Sequence, residues 1–229
     1  MKRCRVLLAL LIVVVFSSFV FAGNAGDESL QKLMDGNKRY VSGDLAKKDL
    51  GDDKRKELLK GQKPFAIVIT CSDSRVPPEL LFDQGLGDIF VIRVAGNVVD
   101  QIALGSIEYG AEHLNAPLLV LLGHSKCGAV KATLETKGKA EGNIGAIVKK
   151  IKPAADAAKK KGGSEEEILE AAIQENIKNV YKDIMSKSTI IPHLAKEGKL
   201  KIVAGEYSLS TGKVDMIELP KLAHKEKAH

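Results

Sequence analysis

Two short segments hold the side chains best suited to chemistry: Cys71-Ser72-Asp73-Ser74-Arg75-Val76-Pro77-Pro78 and Gly123-His124-Ser125-Lys126-Cys127-Gly128. Cys71, His124 and Cys127 together offer two thiolates and one imidazole. That is a catalytic-type zinc set, with a fourth position left for water or substrate. Soft sulfur with imidazole selects zinc over calcium or magnesium. His124 and Cys127 stand three residues apart, close enough to reach one ion from a tight turn, while Cys71 must come from elsewhere. Singly, each residue has a plainer reading. A cysteine after a strand is commonly buried packing. Two cysteines in an oxidising compartment could pair as a disulfide. A histidine can simply bond its own loop. The conjunction of His-x-x-Cys with Cys-x-Asp-x-Arg is what points to a metal.

Asp73 and Arg75 raise a second question, because an Asp beside an Arg is ordinarily a surface ion pair. Here the pair sits two and four residues beyond a candidate ligand. Zinc with two thiolates and a neutral imidazole carries almost no net charge, so it acidifies water less than an all-imidazole site. A nearby carboxylate that accepts the hydrogen bond of that water compensates. The same carboxylate could close the site by taking the fourth position, and Arg75, held bidentate on Asp73, would keep it away. Asp73 is therefore expected to act as a latch that either orients the nucleophile or blocks it.

The surrounding pattern predicts how these segments are held. Phe65–Thr70, Asp88–Val94 and Leu118–Leu122 are apolar runs rich in β-branched residues, as in buried parallel strands. Both reactive segments directly follow such a run, and ligands of parallel α/β sheets bind at the carboxyl ends of the strands. Helices are expected over Ser29–Tyr40, Asp52–Lys60, Gln101–Leu114 and Cys127–Leu134. A helical stretch from Ala140 to Ser186 is interrupted near Gly162-Gly163, with a capping box at Ser164-Glu165-Glu166-Glu167. Leu200–Ala204 and Lys213–Ile217 are further strands, joined through a turn at Ser210-Thr211-Gly212-Lys213. The expected fold is α/β, a mainly parallel sheet flanked by helices with an antiparallel strand possible at one edge.

Composition narrows the function further. Aromatic residues make up 4% of the chain and tryptophan is absent, which speaks against base stacking on nucleic acid. Three of the charges behind the net +6 lie at Lys2, Arg3 and Arg5. They precede an almost wholly apolar run, Val6–Phe21, and a small-residue site at Val20-Phe21-Ala22. This is the layout of a secretory signal, so residues 1–22 are expected to be removed, leaving 23–229 as a single catalytic domain in the periplasm. Cys4 leaves with the signal. The mature chain carries a net charge of about +3, too weak to argue for nucleic acid or an anionic membrane.

These residues resemble the β-class carbonic anhydrases. The likeness rests on Cys71-Ser72-Asp73-Ser74-Arg75-Val76, Arg93-Val94-Ala95-Gly96-Asn97, Glu108-Tyr109 and Gly123-His124-Ser125-Lys126-Cys127-Gly128, and it runs from about Leu30 to Leu219. The resemblance implies reversible hydration of carbon dioxide at a zinc ion, by attack of zinc-bound hydroxide. Cys71, His124 and Cys127 would be the ligands and Asp73–Arg75 the catalytic dyad, with Asp73 as a fourth ligand in a closed state. It also implies a substrate pocket of Gln62, Phe90, Ala95, Tyr109 and Gly128, with Gln62 supplied across a dimer interface. The protein would be at least a homodimer, its N-terminal helix packing on the partner subunit. Val68 stands where some bacterial members carry a tryptophan of an inhibitory bicarbonate pocket, which implies the open-site type. The motifs equally fit a hydrolase of carbonyl sulfide or carbon disulfide. A non-catalytic envelope zinc protein would need neither the dyad nor the pocket.

Overall fold

The computed structural model describes residues 23–138 and 140–221. The expected signal segment, 1–22, lies outside the described residues. The chain order is α1 (Gly23–Ser42), α2 (Asp52–Leu58), β1 (Ala66–Thr70), α3 (Pro78–Leu81), β2 (Ile89–Arg93), α4 (Gln101–Glu108), β3 (Leu118–His124), α5 (Gly128–Glu135), α6 (Ile144–Lys161), α7 (Glu165–Lys187), α8 (Ile190–Lys196), β4 (Lys201–Tyr207) and β5 (Val214–Ile217). The five strands form one sheet in the order β2-β1-β3-β4-β5. The first four are parallel, and β5 closes the edge antiparallel to β4.

β1 and β3 are buried at every position. Successive side chains of a strand point to opposite faces, and the two faces carry separate cores. Ile67, Ile69, Leu119 and Leu121 pack with Ile107 of α4, Ile151 of α6 and Ile173 and Ile177 of α7. Ala66, Val68, Leu118, Val120 and Leu122 pack with Leu33 of α1 and with Leu81 and Phe82 at α3. A strand covered on both faces needs apolar residues throughout, which is why these segments read as unbroken runs.

Helix α1 docks on its own subunit. Leu33 is fully buried, and Leu30 and Met34 pack against the same core. Asn37 clamps the helix down. Its Nδ2 donates to the Leu81 and Gly212 carbonyls at 2.9 Å each, and its Oδ1 accepts from the Val214 amide at 2.9 Å. Leu30, Leu33 and Met34 thus pack within the subunit, while Val41 and Leu45 remain exposed.

The helix expected over Gln101–Leu114 changes character after Glu108, where Tyr109–His113 form a π-helical turn. Gly110 there lies against the sheet, and a Cβ would come 2.9 Å from Ile67. The widened turn lets the backbone approach that closely. The two short helices α3 and α8 are not anticipated by periodicity. The capping box is present, with Ser164 Oγ accepting from the Glu167 amide and the Glu167 carboxylate accepting from the Ser164 amide.

Candidate metal centre

Register decides what meets at the carboxyl edge of the sheet. Thr70 pairs with Arg93 on one side and Leu122 on the other. Cys71, the next residue, therefore emerges between Arg93 and the last residues of β3. His124 ends β3 within the strand, two residues further than the expected boundary. Lys126 then takes a left-handed conformation (φ 55°), a reversal uncommon for a residue with a side chain. It turns the chain so that Cys127 meets His124 at the start of α5.

One donor atom each from Cys71, His124 and Cys127 lies within 4.8 Å of the others, and all three residues are buried. Donors bound to a common zinc at about 2.0–2.3 Å have a spread of this order. Both cysteines are free thiols, so the disulfide alternative does not apply. His124 is fully buried, and its Nδ1 lies 2.9 Å from the Ser125 carbonyl. A carbonyl only accepts, so Nδ1 carries the proton and Nε2 keeps its lone pair. That Nε2 has no hydrogen-bond partner. A buried imidazole lone pair left open, with the opposite nitrogen fixed by a backbone carbonyl, is the arrangement of a metal-ligating histidine.

The two sulfurs are driven in opposite directions. The Cys127 thiol, donating a hydrogen bond, pulls Cys71 well below the ordinary thiol range against the effect of burial; the Gly96 and Asp73 amides act in the same direction. Cys127 is pushed up by that adjacent sulfur and by burial, although the Val130 and Ala129 amides at the start of α5 oppose the rise. Each sulfur thus sets the charge of the other. A divalent cation between them would satisfy both thiolates and the open imidazole nitrogen.

Asp73 stands beside this cluster. Its Oδ1 accepts from the Arg75 backbone amide at 3.0 Å and from Arg75 Nε at 2.9 Å, and its Oδ2 accepts from Arg75 Nη2 at 2.7 Å. The same Oδ2 lies 3.8 Å from His124 Nε2. The Arg75 hydrogen bonds hold the Asp73 carboxyl far below the usual carboxylate range, so it stays ionised. Arg93 fixes the loop from β2, donating to the Cys71 carbonyl at 3.1 Å and the Asp73 carbonyl at 2.5 Å.

The remaining sequence-predicted residues are spread more widely. Phe90 is half-buried on β2 and packs on the core that includes Cys71. Tyr109 places its ring 6.1 Å from that of Phe90 and 5.2 Å from that of His113. Ala95 is half-buried in the 3₁₀ turn after β2, and Gly128 is the exposed first residue of α5. Gln62 is exposed on the loop after α2, bordering a surface groove with Lys54, Lys63 and Asp88. Within this chain it is not brought to the cysteines. Two further residues of the site, Gly96 and Asn176, were not singled out for a role by the sequence. The available signal for Asn176 was a polar residue on the apolar stripe Ala172, Ile173, Ile177, Val180 and Ile184 of α7.

The chain is similar to known proteins over most of its length. A family model described as carbonic anhydrase matches residues 66–214. The chain is 41% identical over 187 residues to the carbonic anhydrase of Mycolicibacterium smegmatis, covering 80% of this chain and 89% of that protein. It is 39% identical over 184 residues to carbonic anhydrase 2 of Mycobacterium tuberculosis, covering 79% and 87%. Among solved structures, one of two tetrameric β-carbonic anhydrases of Sordaria macrospora superposes with a TM-score of 0.66 at 26% identity, over 71% of this chain and 85% of that one.

Proposed function

The chain belongs to the β-class carbonic anhydrases, and on that premise we propose that Cys71, His124 and Cys127 hold its catalytic zinc beside an Asp73–Arg75 dyad. The enzyme is a lyase that interconverts carbon dioxide and bicarbonate. The observation that carries the zinc assignment is the orphaned, fully buried Nε2 of His124, converging with two free thiols within 4.8 Å. Two sulfurs and one imidazole nitrogen suit zinc. When bound, that ion acts as a Lewis acid that brings the ionisation of water toward neutral pH.

The chain's own residues supply the rest. Asp73 accepts a hydrogen bond from the water that adds to carbon dioxide and so orients it. Arg75 holds both carboxylate oxygens in a fork and keeps Asp73 off the metal, the open form of the latch. Arg93 fixes the Cys71–Asp73 loop through two carbonyls. Phe90 and Ala95 form the apolar wall for carbon dioxide, Tyr109 and Gly128 line the remaining pocket, and Gln62 holds bicarbonate. The exposed position of Gln62 supports a site shared between subunits. A homodimer or larger assembly follows, consistent with the tetrameric Sordaria relative. The basic and apolar character of residues 2–21 supports export to the periplasm. Among the described residues, no helix is long and apolar enough to cross a membrane.

Zinc content and stopped-flow hydration of carbon dioxide test this reading together, with carbonyl sulfide assayed in parallel. Cys71→Ser removes one thiolate and should abolish both zinc and activity. Full metal content in that variant would refute the ligand assignment.

A further inference from the structure

We infer that Asn176, on α7 and 80 residues from the nearest chemistry-bearing loop it touches, is a positioning residue that acts through Gly96 on the sulfur of Cys71. The inference rests on the zinc-site reading and adds a residue to it. The chain of contact is short. Asn176 is 2% exposed, and its Nδ2 donates to the Gly96 carbonyl at 2.8 Å. The Gly96 amide in turn donates to Cys71 Sγ at 3.2 Å. The carbonyl and the amide belong to the two peptide planes that flank one α-carbon, so fixing one plane restrains the direction of the other.

Gly96 needs that restraint. Its φ is +69°, in the left-handed region open to glycine. A Cβ would lie 2.6 Å from Ile151 Cδ1 and 3.2 Å from the Ala129 Cβ, so no side chain can supply stiffness there. A glycine that must be bare yet must hold its N–H on a sulfur has to be pinned from outside, and Asn176 is the side chain that pins it. An amide directed at a ligand sulfur draws electron density from it, stabilises the thiolate, and sets how the sulfur donates to a metal. The helical hairpin of α6 and α7 thereby reaches the metal centre through one backbone turn.

The test compares zinc affinity, measured against a competing chelator, and the near-ultraviolet sulfur-to-cobalt band of the cobalt-substituted protein. The variants are Asn176→Ala, the similarly sized Asn176→Leu and a control, Asn37→Ala. Asn37 is equally buried and makes three hydrogen bonds, all away from the cysteines. Both Asn176 variants should weaken zinc binding about tenfold and move the cobalt band to longer wavelength, because a sulfur without its amide donor holds its electrons less tightly. Asn37→Ala should lower the melting temperature and leave both readouts as in the wild type. Unchanged affinity and band in folded Asn176 variants would overturn the inference. So would equal losses in Asn37→Ala, or failure of both Asn176 variants to fold, since either assigns Asn176 to the fold alone. Wild-type protein that binds no zinc would sink the zinc-site reading itself, an outcome distinct from the others.

Discussion

Glu206 gives the sharpest prediction, because it sets fold stability against the conditions in which the enzyme should work fastest. It lies on β4, 9% exposed, in register with Gly123, the residue before His124, and with Asp215 of β5. Burial, then the Glu170 carboxyl, and then the Asp215 charge push its pKa up to about 8, with Gln174 opposing. A glutamate in an unfolded chain titrates near 4.3. Between about pH 4.3 and 8 the folded protein therefore holds a proton that the unfolded chain has released. Stability falls with rising pH across that window and levels off above it. Each unit of difference is worth about 1.36 kcal/mol, which sets a ceiling of about 5 kcal/mol. Glu206 keeps some exposure to water, which screens the effect, so about 2 kcal/mol is the reasoned expectation. Glu206→Gln keeps the size and a donor but cannot ionise. Its melting temperature should match wild type near pH 4 and exceed it at pH 9 by about 4–8 °C, at about 2–4 °C per kcal/mol for a domain of this size. Scanning fluorimetry from pH 4 to 9 reads this directly. Parallel curves for the two proteins would refute the argument.

Three further outcomes follow from the site. Hydration should climb as pH rises above about 7, with a midpoint above that of a three-histidine zinc site, since two anionic ligands leave less positive field to acidify water; a flat profile from pH 6 to 9 would contradict this. Arg75 holds the Asp73 pKa below the ordinary aspartate range, so the charge of this pair is present above about pH 4 and lost only on acidification below that. Asp73→Asn should then lower stopped-flow hydration at every pH from 6 to 9 without moving the midpoint, and a shifted midpoint would assign the titration to Asp73. Gly123→Ala would place a Cβ 2.4 Å from Cδ1 of the fully buried Ile177, costing about 1–3 kcal/mol of overpacking; an unchanged melting temperature would show that α7 yields.

The strands and the Cys71–His124–Cys127 cluster are legible because their signals are local. β1 and β3 lie between two helical layers, so every residue is apolar and each run announces itself. The candidate ligands follow those runs directly, and a parallel sheet delivers strand ends to one edge. The bounds of β3 were less legible. His124 belongs to the strand because its backbone pairs with Tyr207, a partner 83 residues away that no spacing rule near His124 can reveal. The spacing of the helix after β2 predicts a uniform helix, because the π-helical turn answers to the depth of Ile67 beneath Gly110, a matter of tertiary packing rather than of sequence period.

The order of the strands explains why a site of so few residues needs so much of the chain. With β1 between β2 and β3, Arg93, Cys71 and His124 are delivered side by side from three consecutive strand ends, and each loop corrects its neighbour. A sheet edge alone leaves such loops facing solvent with bare backbone. The glycine turn after β2 is the weakest link, since it must be free of side chains to let Ile151 in and yet must aim an amide at a ligand sulfur. Only a donor from the layer above can meet both demands, and α7 provides it at the one position where its apolar stripe turns polar. A polar residue at a core position of a helix far from any motif is thus where the packing of the fold and the chemistry of the site become one constraint.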